Sequence, residues 1–351
     1  MTTVTIMGAG YMGSAMCWPL SDNGHEIHLV GTHLDADIIR SCRASGWHPK
    51  LKRPLPPGVQ PLFVEQLDQA LEGTSLVVQG VSSAGVAWFA QTLAPHLRPD
   101  LPVLSITKGL ALAPDGGLVT LPEYVDSLLP SDLRGRVSLA AVGGPCIAGE
   151  LAGRCPTCVV FTGHDQTLLN QLAGMLRTAY YHVWTSTDVA GVETCVALKN
   201  GFALGIALAL GILQARGGAD MAGAQMHNLA AALFAEATLE MERIVYLMGG
   251  KPDAVHGLPG VGDLSVTVQG GRSITIGRLL GSGLPVEEAL RQLEGVTLES
   301  VDVIRVLGQA LPSYQRRGLL SADDLPLARH LVEIIVEGKP VQPPLDRFFR
   351  G

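Results

Sequence analysis

A chain of 351 residues, at roughly 150 residues per domain, is long enough for about two domains. Hydrophobic residues make up 47% and charged residues 16%, which excludes a disordered chain and leaves ample apolar material for buried cores. A net charge of -7, with no run of like charge, excludes nucleic acid as the expected partner.

The first residues, Met1-Thr-Thr-Val-Thr-Ile6, carry no basic leader ahead of an apolar segment, so no secretory signal is expected. Six cysteines without framework spacing fit a reducing, cytoplasmic setting. Short β-branched runs then alternate with helical stretches, the pattern of βαβ units. Predicted strands are Val4–Met7, Glu26–Val30, Leu76–Gly80, Val103–Thr107, Val137–Val142, Cys158–Thr162 and Tyr181–Trp184. Helical spacing covers Tyr11–Asn23, Ala84–Ala94 and Gln166–Thr178, and the stretch 46–61, with five prolines, reads as an irregular loop. Beyond about Asp188 strand signals fade and helices are predicted at Ala222–Met248, Val286–Leu293, Leu298–Leu311 and Leu325–Glu337. The uncharged run Gly201–Leu213 has 13 residues. A membrane-spanning helix needs about 20, so this run is expected to be a buried helix whose Gly201 and Gly205 allow close packing.

Gly8-Ala-Gly-Tyr-Met-Gly13 follows the first strand and opens a helix. In that setting Gly8 makes a tight turn, Gly10 lets the backbone approach a pyrophosphate, and Gly13 lets helix and strand pack closely. The predicted fold class is therefore α/β, with an N-terminal Rossmann-type doubly wound sheet (residues 1–189) followed by an all-α domain (residues 190–351). The second strand ends Leu29-Val-Gly-Thr-His33, with no carboxylate before Asp35. A carboxylate there would repel a 2′-phosphate, whereas Thr32 and His33 could hydrogen-bond one, so NADP is favoured over NAD.

Four more segments carry polar residues where a plain core would not want them. Ser105-Ile-Thr-Lys-Gly109 puts Lys108 at a strand's C-terminal end, and Gly143-Gly-Pro-Cys-Ile-Ala-Gly-Glu150 follows another strand end. Cys195-Val-Ala-Leu-Lys-Asn200 plants Lys199 at the head of the apolar run, where desolvation would lower a lysine pKa toward a working range. Gly257-Leu-Pro-Gly-Val-Gly-Asp-Leu264 leads to Thr267 and then to Gly270-Gly-Arg-Ser273.

In their order and spacing these segments, with the glycine loop, resemble the NAD(P)-dependent glycerol-3-phosphate dehydrogenase family from Thr3 to about Gly338. The resemblance implies reversible reduction of dihydroxyacetone phosphate to sn-glycerol 3-phosphate. It implies Lys199 as general acid/base, with Asp263 paired to it or holding the substrate hydroxyl, and Lys108 bridging cofactor and substrate. Arg272 would clamp the phosphate, while Gly144, Asn200, Thr267 and Ser273 complete the substrate site. Cofactor contacts would come from Gly8, Gly10, Tyr11, Met12, Gly13, Thr32, His33, Lys108, Ala148, Arg272 and Glu294. No metal is expected, since the ten histidines lack ligand spacing and Cys155-Pro-Thr-Cys158 has no second pair. The partners implied are a small phosphorylated substrate and, from the alanine- and glycine-rich helices, a second copy of the chain in a homodimer.

The sequence departs from the family on the substrate side. Cys146 stands where a Ser, Thr or Asn is usual, Ser273 replaces the Asn that follows the arginine, and Ala230 takes a basic residue's place. A different polyol phosphate is therefore an alternative substrate. The Tyr-Met pair in the glycine loop is also similar to β-hydroxyacid dehydrogenases, but those separate the catalytic Lys from Asn, and Lys199-Asn200 are adjacent. A cofactor-binding sensor without catalysis is a further alternative, which would need neither Lys199 nor Asp263.

Overall fold

The computed structural model describes residues Thr2–Phe349, and the chain divides into two compact units. The first comprises residues 1–108 and 121–189, the second residues 109–120 and 190–351. The strands are β1 (Thr3–Met7), β2 (Glu26–Val30), β3 (Trp47–His48), β4 (Arg53–Pro54), β5 (Val59–Leu62), β6 (Thr74–Gln79), β7 (Val103–Ser105), β8 (Leu110–Leu112), β9 (Leu118–Thr120), β10 (Leu139–Gly143), β11 (Thr157–Gly163) and β12 (Tyr181–Ser186). Helices of the first unit are α1 (Tyr11–Ala15), α2 (Cys17–Asp22), α3 (Ala36–Ser45), α4 (Leu67–Leu71), α5 (Val86–Leu93), α6 (Leu121–Leu128), α7 (Ala148–Ala152) and α8 (Gln166–Leu176).

The first unit is built on an eight-stranded sheet of order β12-β11-β10-β7-β6-β1-β2-β5. Neighbours pair in parallel except β10 and β11, which are antiparallel. Both faces are covered, as a parallel sheet with crossover helices requires. Val4, Ile6, Leu76, Val78 and Leu104 pack with Ala15, Leu20 and Leu172 on one side, while Met7, Val77 and Val103 pack with Leu67, Phe89 and Leu93 on the other. Strand β1 pairs with β2 on one side and β6 on the other, so the strand order reverses at β1. Ligand crevices of doubly wound sheets open at such a reversal, at the strands' C-terminal ends.

Two local expectations change. Helix Tyr11–Asn23 is broken at Met16, because Pro19 lacks the N–H that would bond to the Ala15 carbonyl. The proline-rich stretch is partly ordered: β3 and β4 form a short antiparallel pair, and β5 adds to the sheet's edge, where Pro61 is tolerated.

The second unit contains α9 (Val189–Ala215), α10 (His227–Leu247), α11 (Pro252–His256), α12 (Asp263–Thr267), α13 (Arg272–Gly281), α14 (Val286–Gln292), α15 (Glu299–Arg316) and α16 (Pro326–Glu337). Helix α9 is long and apolar enough to cross a membrane, yet 83% of its most apolar stretch is buried inside the protein. Its glycines work as expected from the sequence. A Cβ on Gly201 would lie 3.0 Å from Val303 of α15, and one on Gly205 3.1 Å from Leu331 of α16. Against α13 the approach is closer still: a Cβ on Gly211 would lie 2.2 Å from the Arg278 carbonyl oxygen, and one on Gly277 2.3 Å from that of Leu204.

The antiparallel hairpin β8–β9 belongs to this helical unit although it lies between two stretches of the first. Tyr314 Oη accepts the Leu118 N–H at 2.9 Å, Ser313 Oγ donates to the Asp115 carbonyl at 3.0 Å, and Arg317 pairs with the Asp115 carboxylate at 3.0 Å. These bonds hold the part of α15 beyond Pro312, past the predicted end at Leu311.

Helix α16 begins after Leu325 with no side-chain cap of its own. The cap comes from α10, where both oxygens of buried Glu240 accept N–H groups, from Leu327 at 2.5 Å and Ala328 at 2.7 Å. Burial raises the Glu240 pKa from 4.5 to about 8, against the opposing pull of the two N–H groups. Between those values the folded chain holds a proton that the unfolded chain has released. This contribution to stability is complete below pH 4.5 and is lost as pH rises through 8. Thermal stability should therefore decline from about pH 4.5 to 8, and Glu240→Gln should flatten that decline by up to about 1.4 kcal/mol per pH unit. Melting temperatures that fall with the same slope in both proteins would mean that Glu240 folds ionised.

Candidate active site

The glycine loop lies where β1 and β6 end side by side. Gly8 turns the chain at φ +117°, and a Cβ there would lie 2.5 Å from the Gly80 carbonyl oxygen. A Cβ on Gly13 would lie 2.1 Å from the Gly8 oxygen. Gly80, which the sequence marks only as a strand end, is thus the third member of a backbone-to-backbone contact. Gly10 differs: it has φ -70°, which any residue can adopt, and a Cβ there would meet nothing within 4 Å. The fold has no need of glycine at position 10, and the bare backbone leaves room for the pyrophosphate of a dinucleotide. The residues present fit that cofactor.

Around the loop, Tyr11 is exposed with the Lys50 ammonium 6.0 Å from its ring centre, and Met12 packs on the sheet core. Ala148 heads α7, and Lys108 Nζ donates to the Gly144 carbonyl at 3.1 Å. At the end of β2, Thr32 is committed internally: its hydroxyl donates to Asp35 at 2.8 Å and accepts the Leu34 N–H at 3.2 Å. Neighbouring His33 is exposed, its ring held edge-on against Trp88 at 5.7 Å.

The helical unit gathers the second group of predicted residues. Lys199, on α9, is nearly buried and donates to Asp263 Oδ1 at 2.7 Å and Thr267 Oγ1 at 2.9 Å. The Thr267 hydroxyl donates to the Asp263 carbonyl at 2.6 Å, one turn back on α12. A single π-helical turn, Leu258–Gly262, precedes Asp263. Such a turn rotates the residues after it about the helix axis, and this one delivers a carboxylate only 1% exposed to the lysine. Next to Lys199, Asn200 Nδ2 donates to Glu299 at 3.4 Å, and Arg272 pairs with the other oxygen of Glu299, also at 3.4 Å. Arg272 and Ser273 open α13 behind Gly271, which holds φ +95°.

Lys199, Asn200, Asp263, Thr267 and Arg272 are thereby linked directly, through chain adjacency or through Glu299. Glu294, expected among the cofactor contacts, is exposed in the α14–α15 connection. The acidic residue at the cluster is Glu299, five positions on. Its signal is an acidic first residue at a helix start, which sequence alone assigns to a helix terminus.

The glycine geometry separates two variants. Gly13→Ala should cost about 3 kcal/mol of stability or prevent folding, because its methyl overlaps a carbonyl. Gly10→Ala should melt within about 0.5 kcal/mol of the parent yet bind NAD(P)H at least about tenfold more weakly. Equal cofactor affinity for Gly10→Ala and the parent would remove the loop from the cofactor site.

Comparison with known proteins agrees with this geometry. The N-terminal model of NAD-dependent glycerol-3-phosphate dehydrogenase matches residues 3–169, and the C-terminal model matches residues 188–346. The NADP(+)-dependent glycerol-3-phosphate dehydrogenase of Archaeoglobus fulgidus is 36% identical, over 97% of this chain and 96% of its own. A glycerol-3-phosphate dehydrogenase [NAD(P)+] of Lactobacillus delbrueckii subsp. bulgaricus is 32% identical, over 87% and 86%. The crystal structure of the Coxiella burnetii glycerol-3-phosphate dehydrogenase superposes with a TM-score of 0.79 at 25% identity, covering 99% of this chain and 97% of that one. This chain is an oxidoreductase that belongs to the NAD-dependent glycerol-3-phosphate dehydrogenase family.

Proposed function

We propose that the chain reversibly reduces dihydroxyacetone phosphate to sn-glycerol 3-phosphate, with Lys199 as the general acid/base and NADPH preferred over NADH. The observation that carries this reading is the buried Lys199–Asp263–Thr267 cluster. A desolvated ion pair is a poor device for stability, and its retention points to chemistry. NAD(P)H, when bound, supplies the hydride to the carbonyl carbon of the substrate. As the carbonyl becomes an alkoxide, a Lys199 N–H bond breaks and an O–H bond forms on the substrate oxygen; oxidation runs the same proton back. Asp263 and Thr267 hold the ammonium in one direction, so that the proton is delivered at a fixed point. Arg272, with its planar fork, binds the phosphate, and Asn200, Ser273 and Lys108 add hydrogen bonds.

The NADPH preference is supported by the end of β2, where the sequence has no carboxylate between Gly31 and Leu34; the Thr32 hydroxyl, taken up by Asp35, does not serve a 2′-phosphate. His33 is the side chain left at that rim to meet a 2′-phosphate. The printed NADP(+) dependence of the Archaeoglobus relative points the same way. A homodimer in the cytoplasm is the proposed working form. One face of α10 leaves Ala231, Leu239 and Tyr246 exposed, and all six cysteines are thiols outside any disulfide.

Absorbance at 340 nm tests the reaction. NADPH oxidation should require dihydroxyacetone phosphate, and Lys199→Ala should lower kcat by roughly a hundred- to ten-thousand-fold while cofactor affinity stays within about twofold. Faster turnover of a longer polyol phosphate would reassign the substrate, and unchanged turnover in Lys199→Ala would make the lysine structural. His33→Ala should reduce kcat/KM for NADPH by about fivefold or more and leave NADH nearly unchanged. An equal loss with both cofactors would take the 2′-phosphate away from His33.

A further inference from the structure

The two peptides that meet at Ala9, in the middle of the glycine loop, are each held by a buried polar side chain from outside the loop. The Ala9 N–H donates to Asp35 Oδ2 at 3.2 Å, and the Ala9 carbonyl lies 3.2 Å from His48 Nε2. Asp35 is 7% exposed and His48 fully buried. The Leu51 N–H approaches His48 Nδ1 at 3.0 Å. A backbone N–H can only donate, so Nδ1 accepts, the ring proton sits on Nε2, and Nε2 donates to Ala9. Burial holds the His48 pKa below its ordinary value, which preserves this neutral tautomer. Asp35 is anchored in turn, since the same oxygen accepts the Thr32 N–H at 3.0 Å and the Thr32 hydroxyl at 2.8 Å.

Burying an imidazole and a carboxylate against the main chain of one residue is costly, and an apolar pair would fill the space more cheaply. What the pair adds is direction. The Ala9 carbonyl and the Gly10 N–H share one peptide plane, so His48 fixes the direction of that N–H while Asp35 fixes the peptide before it, and Gly10 is the loop residue whose bare backbone faces open space. The β3–β4 segment also places Lys50 over Tyr11, so it supports the loop at two points.

We propose that Asp35 and His48 are positioning residues that hold the two peptides flanking Ala9 in the dinucleotide-binding conformation before the cofactor arrives. The inference rests on the reading of Gly8–Gly13 as the cofactor loop. The two residues touch no substrate atom. Their effect runs through the backbone, so it falls on cofactor affinity and not on the chemical step.

The test measures NADPH binding by fluorescence titration, together with steady-state kinetics, on the full chain. His48→Ala should raise the Kd and KM for NADPH by about tenfold or more, with kcat at saturating cofactor and KM for dihydroxyacetone phosphate within about twofold. His48→Gln, which keeps an N–H donor on a similar reach, should restore the KM to within about threefold of the parent. A merely structural histidine would lower the melting temperature without this split or this rescue. The inference is overturned by a folded His48→Ala with parental KM, by a loss confined to kcat, or by a Gln variant as impaired as Ala. If His48→Ala does not fold, Asp35→Asn takes its place: the neutral amide accepts three donors less strongly and should raise KM about threefold, and a parental KM overturns the inference. A parent chain that takes up no NADPH overturns instead the reading of the loop itself, before any variant is compared.

Discussion

Backbone atoms approaching backbone atoms, with no side chain between them, is the constraint on which both the glycine loop and the lysine cluster depend. Gly8, Gly13 and Gly80 bring β1, α1 and β6 together at distances that a single methyl would forbid. Gly211, Gly277 and Gly281 do the same for α9 and α13. The second contact bears on chemistry directly, because α9 carries Lys199 and Asn200 while α13 opens with Arg272 and Ser273. The spacing between Lys199 and Arg272 is set by how closely the two helices can lie. Packed backbone is stiff, so the polar groups above it hold their places without a large network of their own.

Buried ionisable side chains are used here in two contrasting ways. Glu240 and Asp35 serve main-chain N–H groups left over where a helix starts or a strand ends. Each such bond offsets part of the desolvation of its own carboxylate and spares a buried donor from going unmet. Lys199 and Asp263 instead form an ion pair with each other, shared with one hydroxyl. That charged pair is held at the head of the long apolar helix α9, where an apolar pair would pack at less cost.

Much of this is legible in the residues. The doubly wound sheet and the helical second half follow from the change of hydrophobic period near Asp188, and the glycine loop is recognisable because its three glycines are close in the chain. Lys199, Asp263, Thr267 and Arg272 stand in short motifs that point to a site only through their joint occurrence, in order, beside the glycine loop. The rest depends on distant partners. Gly80 matters only because Gly8 and Gly13 lie against it, His48 only because its ring meets a carbonyl 39 positions earlier, and Glu299 only because Asn200 and Arg272 converge on it. In the sequence Asp35 reads as a carboxylate too late in the turn to serve the ribose. Its role as an anchor for Ala9 needs the turn's path through space. Strand β5 is hidden by its proline, which an edge position excuses.

The hairpin β8–β9 bears on how the chain is made. Its anchors on α15 lie 196 and 202 positions further along, so on a growing polypeptide the hairpin emerges long before the helix that will receive it. At a synthesis rate of about 5–20 residues per second, that wait lasts on the order of ten seconds or more. Over that interval Leu110, Leu118 and their neighbours have sheet partners only in each other, while residues of the first unit on either side can already be folding. The first unit is interrupted in sequence by a segment it does not own, and the order of birth on the ribosome is not the order in which the contacts can be satisfied.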